Sequence, residues 1–299
     1  MRSAIRIGTR ASRLAIAQAE IVAAGLRALG HECELILIRT RGDRFRGPLG
    51  QVGERGLFVG EIERALEQGK VDLAVHSLKD LPEPVLPHFS LGAIARRADA
   101  RDALVSAQGL RLEQLPRGAR VGTSSRRRAA QLMRARPDLV VLDARGNVDT
   151  RLRKLEAGEW DALVTAAAAL DRLGLSARIT QRLPLNRFVP APGQGALAVE
   201  VMADNKSMRR IAALLDHEPS RAAVEAERAV MRELEAGCHL PLGAFGRVDG
   251  GRLLLVAEVL SPDGAERTRV RHQGSARNPG AVGRQAARVL MERGVVTRC

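Results

Sequence analysis

The chain has 299 residues, a formal net charge of +14 and an aromatic content of only 2%. Its hydrophobic fraction of 45% and charged fraction of 27% are typical of a globular protein and exclude an intrinsically disordered one. No apolar run approaches the ~20 residues of a membrane-spanning helix, and the first ten residues lack the apolar region of a secretion signal. Three cysteines are too few for a disulfide framework, so we expect a cytoplasmic protein. The length of the chain predicts two or three domains.

The first 195 residues alternate between strand and helix patterns, which indicates an α/β architecture. The predicted elements there are a strand 4–9, a helix from Ser12 to near Gly30, a strand 34–39, a helix 57–68, a strand 71–76, a strand 120–122, a helix from Ser124 or Ser125 through 136, a strand 139–142, a helix 150–157 and a strand 162–165. Those of the C-terminal part are a helix 218–235, strands 253–260 and 267–271 joined by a turn at 261–264, and a helix 279–292 followed by Gly294. We therefore predict two α/β lobes and a small C-terminal α+β domain.

The two predicted lobes share short sequence matches. The matching pairs are Ile7-Gly8-Thr9 with Val121-Gly122-Thr123, Ala17-Gln18 with Ala130-Gln131, and Asp72 with Asp161. They predict two similar lobes with a ligand cleft between them, since ligands of open α/β sheets bind at the carboxyl ends of strands. Chance is the alternative, because small-residue turns after strands resemble one another.

The surplus of 48 basic over 34 acidic residues favours an anionic partner. Nucleic acid and a small polyanionic ligand are both candidates. The scarcity of aromatic residues weakens the case for single-stranded nucleic acid, whose bases stack on aromatic side chains. Codon bias is a third interpretation. It explains why arginine outnumbers lysine, but not why basic residues outnumber acidic ones.

Polar residues follow a buried-looking strand in the segment His76-Ser-Leu-Lys-Asp80. Asp80, beside Lys79, suits a proton shuttle or a counter-charge to a cationic intermediate. The alternative is a turn aspartate before proline, which is common. His76 by itself is more often a core histidine than a catalyst.

Arginines and hydroxyls stand at several predicted strand ends. Gly122-Thr-Ser-Ser-Arg-Arg-Arg128 places both at a helix N-terminus, which is a ready anion site, although a solvated charged run is equally compatible with this stretch. Arginine forks bind carboxylates in a bidentate way, so the expected ligand carries several carboxylates or phosphates. The other residues of this kind are Arg10, Ser12, Arg145, Arg151 and Arg172.

Cys238 lies in a loop between a glycine and a histidine. A buried inert thiol and a reactive thiol are both compatible with this position. Cys33 is predicted to be a core residue, and Cys299 is predicted to have no specific role. No Cys/His pair has the spacing of a common metal site, so we expect no metal.

Eight segments, taken together and in order, resemble the porphobilinogen deaminase (hydroxymethylbilane synthase) family. They are Thr9-Arg-Ala-Ser12, Thr40-Arg-Gly-Asp43, Gly56-Leu-Phe-Val59, Val75-His-Ser-Leu-Lys-Asp80, Gly122-Thr-Ser-Ser125, Arg145-Gly-Asn147, Pro192-Gly-Gln-Gly195 and Gly237-Cys238. The resemblance implies a three-domain fold whose first two domains resemble periplasmic binding proteins. It also implies that the chain returns to domain 1 over 195–201. In the implied division, domain 1 comprises 1–96 together with 195–214, domain 2 comprises 97–194, and domain 3 comprises 215–299.

The resemblance also implies a reaction. Cys238 would hold a dipyrromethane cofactor through a thioether. Porphobilinogen would lose ammonia to give an azafulvene, which the terminal pyrrole attacks before losing a proton. Four rounds would extend the chain to six rings. Hydrolysis would then release hydroxymethylbilane, a step of tetrapyrrole (haem) biosynthesis, and leave the two-ring cofactor on the enzyme. The implied enzyme is a cytoplasmic monomeric transferase with porphobilinogen as its partner and with neither a nucleic acid nor a membrane.

Each site residue takes its role from the same resemblance. Asp80 matches the catalytic aspartate, which holds pyrrole N–H groups and stabilises positive charge, and Phe58 matches an aromatic residue of a mobile loop. The positions that match binders of acetate and propionate side chains are Arg10, Ser12, Lys79, Arg127, Arg128, Arg145, Arg151 and Arg172, assisted by Thr123, Ser124 and Ser125. The chain departs from the family pattern at Gln51-Val-Gly-Glu-Arg55, and at Arg126, which we expect to be exposed.

Overall fold

The computed structural model describes residues 4–40, 59–235 and 240–295. The strands of these ranges are β1 (Ile5–Arg10), β2 (Cys33–Ile38), β3 (Leu73–Ser77), β4 (Phe89–Ile94), β5 (Asp102–Ser106), β6 (Arg120–Gly122), β7 (Val140–Leu142), β8 (Ala162–Ala166), β9 (Gln181–Arg182), β10 (Leu197–Met202), β11 (Leu242–Asp249), β12 (Arg252–Leu260) and β13 (Arg267–Ser275). The α-helices are α1 (Arg13–Ala28), α2 (Gly60–Glu67), α3 (Arg126–Ala135), α4 (Val148–Glu156), α5 (Ala167–Arg172), α6 (Lys206–Ala213), α7 (Glu218–Glu233) and α8 (Pro279–Glu292).

The chain forms two compact units. The first comprises Met1–Ala98 and Ala196–Arg221, and the second comprises Asp99–Gly195 and Ala222–Cys299. The second unit therefore includes both the second lobe and the C-terminal sheet. The three domain boundaries expected above stay a prediction.

The first unit is built on a five-stranded sheet in the order β2-β1-β3-β10-β4. Strand β1 is parallel to β2 and β3, whereas β10 runs antiparallel to β3 and β4. Helix α1 begins after Ser12, whose side chain accepts a hydrogen bond from the Ala15 amide, and it buries its apolar stripe against the sheet. It is followed by Gly30 at φ +85°, a conformation that favours glycine. The predicted first strand and helix are thus confirmed.

The second unit contains a five-stranded sheet in the order β7-β6-β8-β5-β9. Its pairing repeats the first sheet position by position, with two parallel pairs followed by two antiparallel ones. Strand β6 ends at Gly122, where a Cβ would lie 2.7 Å from the buried Trp160 ring, so this position requires glycine.

The sequence matches between the lobes correspond to matching hydrogen bonds. In the first unit, Asp72 accepts from the Arg6 amide at 2.8 Å and its own amide donates to the Arg6 carbonyl at 2.8 Å. In the second, Asp161 accepts from the Arg120 amide at 2.7 Å and its amide donates to the Arg120 carbonyl at 2.8 Å. The prediction of two similar α/β lobes is confirmed.

A three-stranded antiparallel sheet, β11-β12-β13, completes the second unit. It packs with α7 and α8 around a core that includes Leu255 and Leu290. The predicted hairpin turn lies between β12 and β13, with Gly264 at φ +73°. Strand β11 was not predicted, because Gly243 and Gly246 interrupt its apolar pattern. A Cβ at either glycine would lie 2.8 Å from a backbone oxygen, so close packing explains them.

Candidate functional site

The carboxyl ends of β1 and β3 form one end of the first unit. These strands are parallel neighbours, so the residues that follow them lie at the same edge of the sheet. A pocket there brings together three predicted site residues, Arg10, Ser12 and Asp80. The pocket is lined by Arg10, Ser12, Leu14, Ala15, Gln18, Val59, Val75, His76, Ser77 and Asp80.

Asp80 lies on a single 3-10 turn, Leu78–Asp80, directly after β3. The turn is held by the buried side chains of Leu78 and Leu81, and the Leu78 amide donates to the Ala196 carbonyl at 3.1 Å. Lys79 and Asp80, between these anchors, are exposed. Within the described ranges the Asp80 carboxylate makes no hydrogen bond or ion pair, so it can accept from the N–H groups of a ligand.

Gln18 and Ser77 were not predicted as site residues, yet both line this pocket. The Gln18 side-chain amide donates to the Ser77 hydroxyl at 2.8 Å, and Gln18 is only 4% exposed. Gln18 stands six residues after the N-cap Ser12, and Gln131 stands six residues after the N-cap Ser125. A buried glutamine at the same place in both lobes was the signal that would have identified it.

In the second unit, β6 is parallel to both β7 and β8, so their carboxyl ends meet at one edge. Thr123, Ser124 and Ser125 follow β6 there. The Thr123 amide donates to the Leu142 carbonyl at 2.8 Å, and the Ser124 hydroxyl donates to the Ala144 carbonyl at 2.8 Å. Ser125 caps α3 by accepting from the Arg128 amide. The segment 123–125, which carries the three hydroxyl groups, is therefore held by hydrogen bonds at the end of β7.

Arg127 and Arg128 are buried and share one carboxylate, whereas Arg126 is exposed as expected. Arg127 Nη1 lies 2.7 Å from one oxygen of the fully buried Asp102, and Arg128 Nε lies 2.8 Å from the other. Gln194 donates to Asp102 at 2.9 Å and accepts from Arg128 at 3.1 Å. Burial opposes ionisation of Asp102, but the two guanidinium groups outweigh it and hold the pKa of Asp102 well below its usual range. The cluster of these three charged residues carries one net positive charge.

We expect Asp102→Asn to lower the free energy of unfolding by about 3–5 kcal/mol, because it leaves two buried guanidinium groups without a carboxylate. Urea denaturation measures this. Asp249→Asn is the control, since Asp249 forms only an exposed pair with Arg247 at 3.6 Å and its loss should cost at most about 1 kcal/mol. Equal effects of the two variants would contradict the prediction.

The same cluster predicts a pH dependence. A lowered pKa in the folded state stabilises the fold above the unfolded value of about 3.9, and this contribution is lost as the pH falls toward the folded-state pKa. The unmodified chain should therefore lose more stability than Asp102→Asn when the pH falls below about 4. Parallel loss in both proteins would show that Asp102 does not titrate in this way.

Arg172 ends α5, the helix that follows β8. Its guanidinium donates to the Gly195 carbonyl at 2.7 Å, and burial lowers the pKa of Arg172 to about 10. Within the described residues no carboxylate forms an ion pair with it, since the neighbouring Asp171 is bound by Arg182 at 2.7 Å. A desolvated cation in this position favours an anionic ligand.

Arg145 and Arg151 belong to the segment between β7 and the first turn of α4. Arg145 pairs with Asp143 at 2.6 Å, and both side chains are largely exposed, so a ligand carboxylate can compete for this arginine. Arg151 is half-buried in α4, whose N-cap is Asn147. That cap explains why α4 begins at Val148, two residues before the predicted start.

Several predicted features lie outside the described residues. They are Cys238 with Gly237, Cys299, Phe58, the segment 51–55, and the motif residues 41–43 and 56–57. Cys33 lies in the edge strand β2 and is half-buried against the core of the first unit, so it borders the core rather than lying within it as predicted. Among the described residues, no group of three His, Cys, Asp or Glu side chains could hold a metal ion. None of the helices described above is both long enough and apolar enough to cross a membrane.

Two family models match almost the whole chain. Residues 5–210 match "Porphobilinogen deaminase, dipyromethane cofactor binding domain", and residues 221–292 match "Porphobilinogen deaminase, C-terminal domain". The chain belongs to the porphobilinogen deaminase family. As a member it is a transferase of the hydroxymethylbilane synthase type, which confirms the resemblance found in the sequence.

Relatives named porphobilinogen deaminase match over nearly their full length. The protein from Desulforudis audaxviator is 48% identical over 98% of this chain and 96% of its own. The protein from Roseiflexus castenholzii is also 48% identical, over 98% of both chains. Among solved structures, the second substrate-binding domain of a putative amino acid ABC transporter from Streptococcus pneumoniae is 14% identical, with a TM-score of 0.44 over 71% of this chain and 90% of that one. That likeness concerns the fold alone.

The described residues of this porphobilinogen deaminase family member fit a dipyrromethane with carboxylate side chains. Asp80, which has no partner among the residues of 4–40, 59–235 and 240–295, offers an acceptor to N–H groups such as those of pyrroles. The desolvated Arg172 and the net positive cluster of Arg127, Arg128 and Asp102 favour carboxylates. The two kinds of polar group on such a ligand, N–H donors and carboxylates, thus each have complementary groups in this chain.

Proposed function

We propose that this protein condenses four porphobilinogen molecules head to tail, with release of four ammonia molecules, and releases hydroxymethylbilane for tetrapyrrole (haem) biosynthesis. The observation that carries the proposal is the exposed Asp80 carboxylate, which lies at a strand-end pocket without a partner among the described residues. Family membership at 48% identity to named porphobilinogen deaminases supports the same conclusion.

The proposed cofactor is a dipyrromethane attached through a thioether to Cys238. When bound, it supplies a pyrrole with a free α-carbon, which is a nucleophile. The family model that names this cofactor supports its presence, and the Gly-Cys-His sequence around Cys238, which predicts a loop, supports the attachment point. Phe58 is proposed as an aromatic residue of the lid over the site.

Asp80 is proposed to accept hydrogen bonds from pyrrole N–H groups and to stabilise the positive charge that develops on the reacting ring. Its backbone turn is anchored on both sides by buried leucines, which fixes the place from which the carboxylate projects. A negative charge placed beside the reacting ring lowers the energy of a cationic transition state.

The basic side chains are proposed to bind the acetate and propionate groups of the pyrroles. Arg10, Ser12 and Lys79 do so in the first unit. In the second unit the proposed binders are Arg127, Arg128, Arg145, Arg151 and Arg172, with Thr123, Ser124 and Ser125 assisting. Guanidinium groups bind carboxylates through two parallel hydrogen bonds, which orients each ring as well as attracting it.

The test is to incubate the purified protein with porphobilinogen and to measure ammonia and tetrapyrrole. We expect four ammonia molecules for each hydroxymethylbilane, an intact mass larger than the polypeptide by two pyrrole units, and a positive reaction with Ehrlich's reagent. Stoichiometric binding of porphobilinogen without ammonia release would instead indicate a polycarboxylate-binding protein. An intact mass equal to that of the bare polypeptide in active protein would also contradict the proposal.

We also propose that the protein is a cytoplasmic monomer that works without nucleic acid or membrane. A reducing compartment suits a free thiol at Cys238 before the cofactor is attached. Size-exclusion chromatography with light scattering tests the monomer, because a dimer would have twice the 32.2 kDa mass of the chain.

A further inference from the structure

A buried histidine–glutamate pair lies in the wall of the pocket that contains Asp80. His76 is on β3 and Glu200 is on β10. The antiparallel register places His76 opposite Ala198, so Glu200 is its diagonal neighbour on the same face of the sheet. His76 Nε2 lies 3.1 Å from Glu200 Oε2, and the two side chains are 6% and 0% exposed.

Each residue of this pair has a second polar atom that the protein does not use. Glu200 Oε1 is buried and has no hydrogen-bond partner among the described residues. His76 Nδ1 makes no hydrogen bond within the same residues, although the histidine lines the pocket. A buried carboxylate with one partner is costly, and apolar side chains would fill the same space at lower cost. The pair therefore has a use other than packing.

The geometry sets the chemistry of the imidazole. A bond donated from Nε2–H to Glu200 places the proton on Nε2 and leaves a lone pair on Nδ1. If Nδ1 takes up a proton, the imidazolium and the carboxylate form a neutral pair. The histidine–glutamate pair can therefore accept one proton from the pocket without leaving an unbalanced charge inside the sheet.

We propose that His76, positioned by Glu200, accepts the proton that is released in each condensation. This inference rests on the proposed function, in which the C–N bond of the protonated aminomethyl group of porphobilinogen breaks and its electron pair leaves with ammonia. A C–C bond then forms, and the α C–H bond of the attacking pyrrole breaks, with its electrons returning to the ring. The proton passes to His76 Nδ1 and then to solvent.

This assignment separates two tasks that would otherwise fall on Asp80. Asp80 holds the pyrrole N–H groups, while the histidine takes the proton. The other charged groups at this pocket are Arg10, at the end of β1, and Asp80 itself, whereas α1 contributes the neutral Gln18. Glu200 is thus the carboxylate bonded directly to the imidazole.

The test compares His76→Gln and Glu200→Gln as cofactor-loaded enzymes. Glutamine at 76 can still bond to Glu200 from the place of Nε2 but has no Nδ1, so kcat should fall at least about tenfold with KM within about twofold. Glu200→Gln removes the charge that favours the imidazolium. The low-pH decline of kcat should therefore move to lower pH, with a smaller loss of kcat at its optimum.

Asp72→Asn is the matched control, because Asp72 precedes β3 at the end opposite the pocket and pairs with Arg6 at 2.7 Å. It should lower the melting temperature and leave the pH profile of kcat unchanged. The inference is overturned if both test variants keep kcat within about twofold and the pH profile of the unmodified enzyme. It is also overturned if their activity falls only in proportion to folded, cofactor-loaded protein.

His76→Asn, which reaches the place of Nδ1, is used if His76→Gln does not fold, and a loss of kcat smaller than about twofold in it overturns the inference as well. Failure of the proposed function is distinguished at the start, since the unmodified protein would then release no ammonia.

Discussion

Cys238→Ala protein is expected to fold, to carry no two-pyrrole adduct and to show no turnover of porphobilinogen. A thioether needs a cysteine sulfur, which the methyl group of alanine does not supply. The fold should persist because Leu234 and Leu242, on either side of this position, are buried in the same core as α7 and β12. Intact mass spectrometry, Ehrlich's reagent and the ammonia assay measure the three outcomes.

Cys33→Ala is the control for that experiment. Burial raises the pKa of the Cys33 thiol, and this disfavours the thiolate that attaches a cofactor. We expect Cys33→Ala to keep both the adduct and the activity. An adduct on Cys238→Ala, or its loss from Cys33→Ala, would place the attachment elsewhere.

Asp80→Asn is expected to keep the adduct and to lower kcat by about 10²–10³-fold, the usual cost of removing one preorganised electrostatic group. Asparagine has the same shape and keeps an acceptor oxygen, but it lacks the negative charge that stabilises a cationic ring. Single-turnover kinetics with porphobilinogen measure this loss separately from product release.

The stability of Asp80→Asn should equal that of the unmodified chain, because the Asp80 carboxylate has no partner among the described residues. Asp204→Asn, an exposed carboxylate of the same unit, is the control and should leave kcat unchanged. A loss of kcat smaller than about tenfold in Asp80→Asn would remove Asp80 from the proposed catalytic role.

Local signals in the sequence predicted the elements well where caps and turns define them. Helix α8 runs over Pro279–Glu292, the predicted range, because Asn278 caps it, proline suits its first turn and Gly294 at φ +89° follows it. The strand-to-helix junctions at Ser12 and at Ser124 or Ser125 were predicted for the same reason. The structure selects Ser125, and in both helices the cap hydroxyl accepts from an amide three residues later.

The sequence by itself thus determined the two α/β lobes, the small C-terminal domain and the positions of Asp80 and the arginines at strand ends. Its information is local, since caps, turns and periodicity depend on residues a few positions apart. Only the tertiary structure decided which distant groups meet. It inserted β10 between β3 and β4, placed Asp102 between Arg127 and Arg128, and brought Glu200 to His76, 124 residues away in the chain. Such contacts depend on packing of whole strands, which no local pattern encodes.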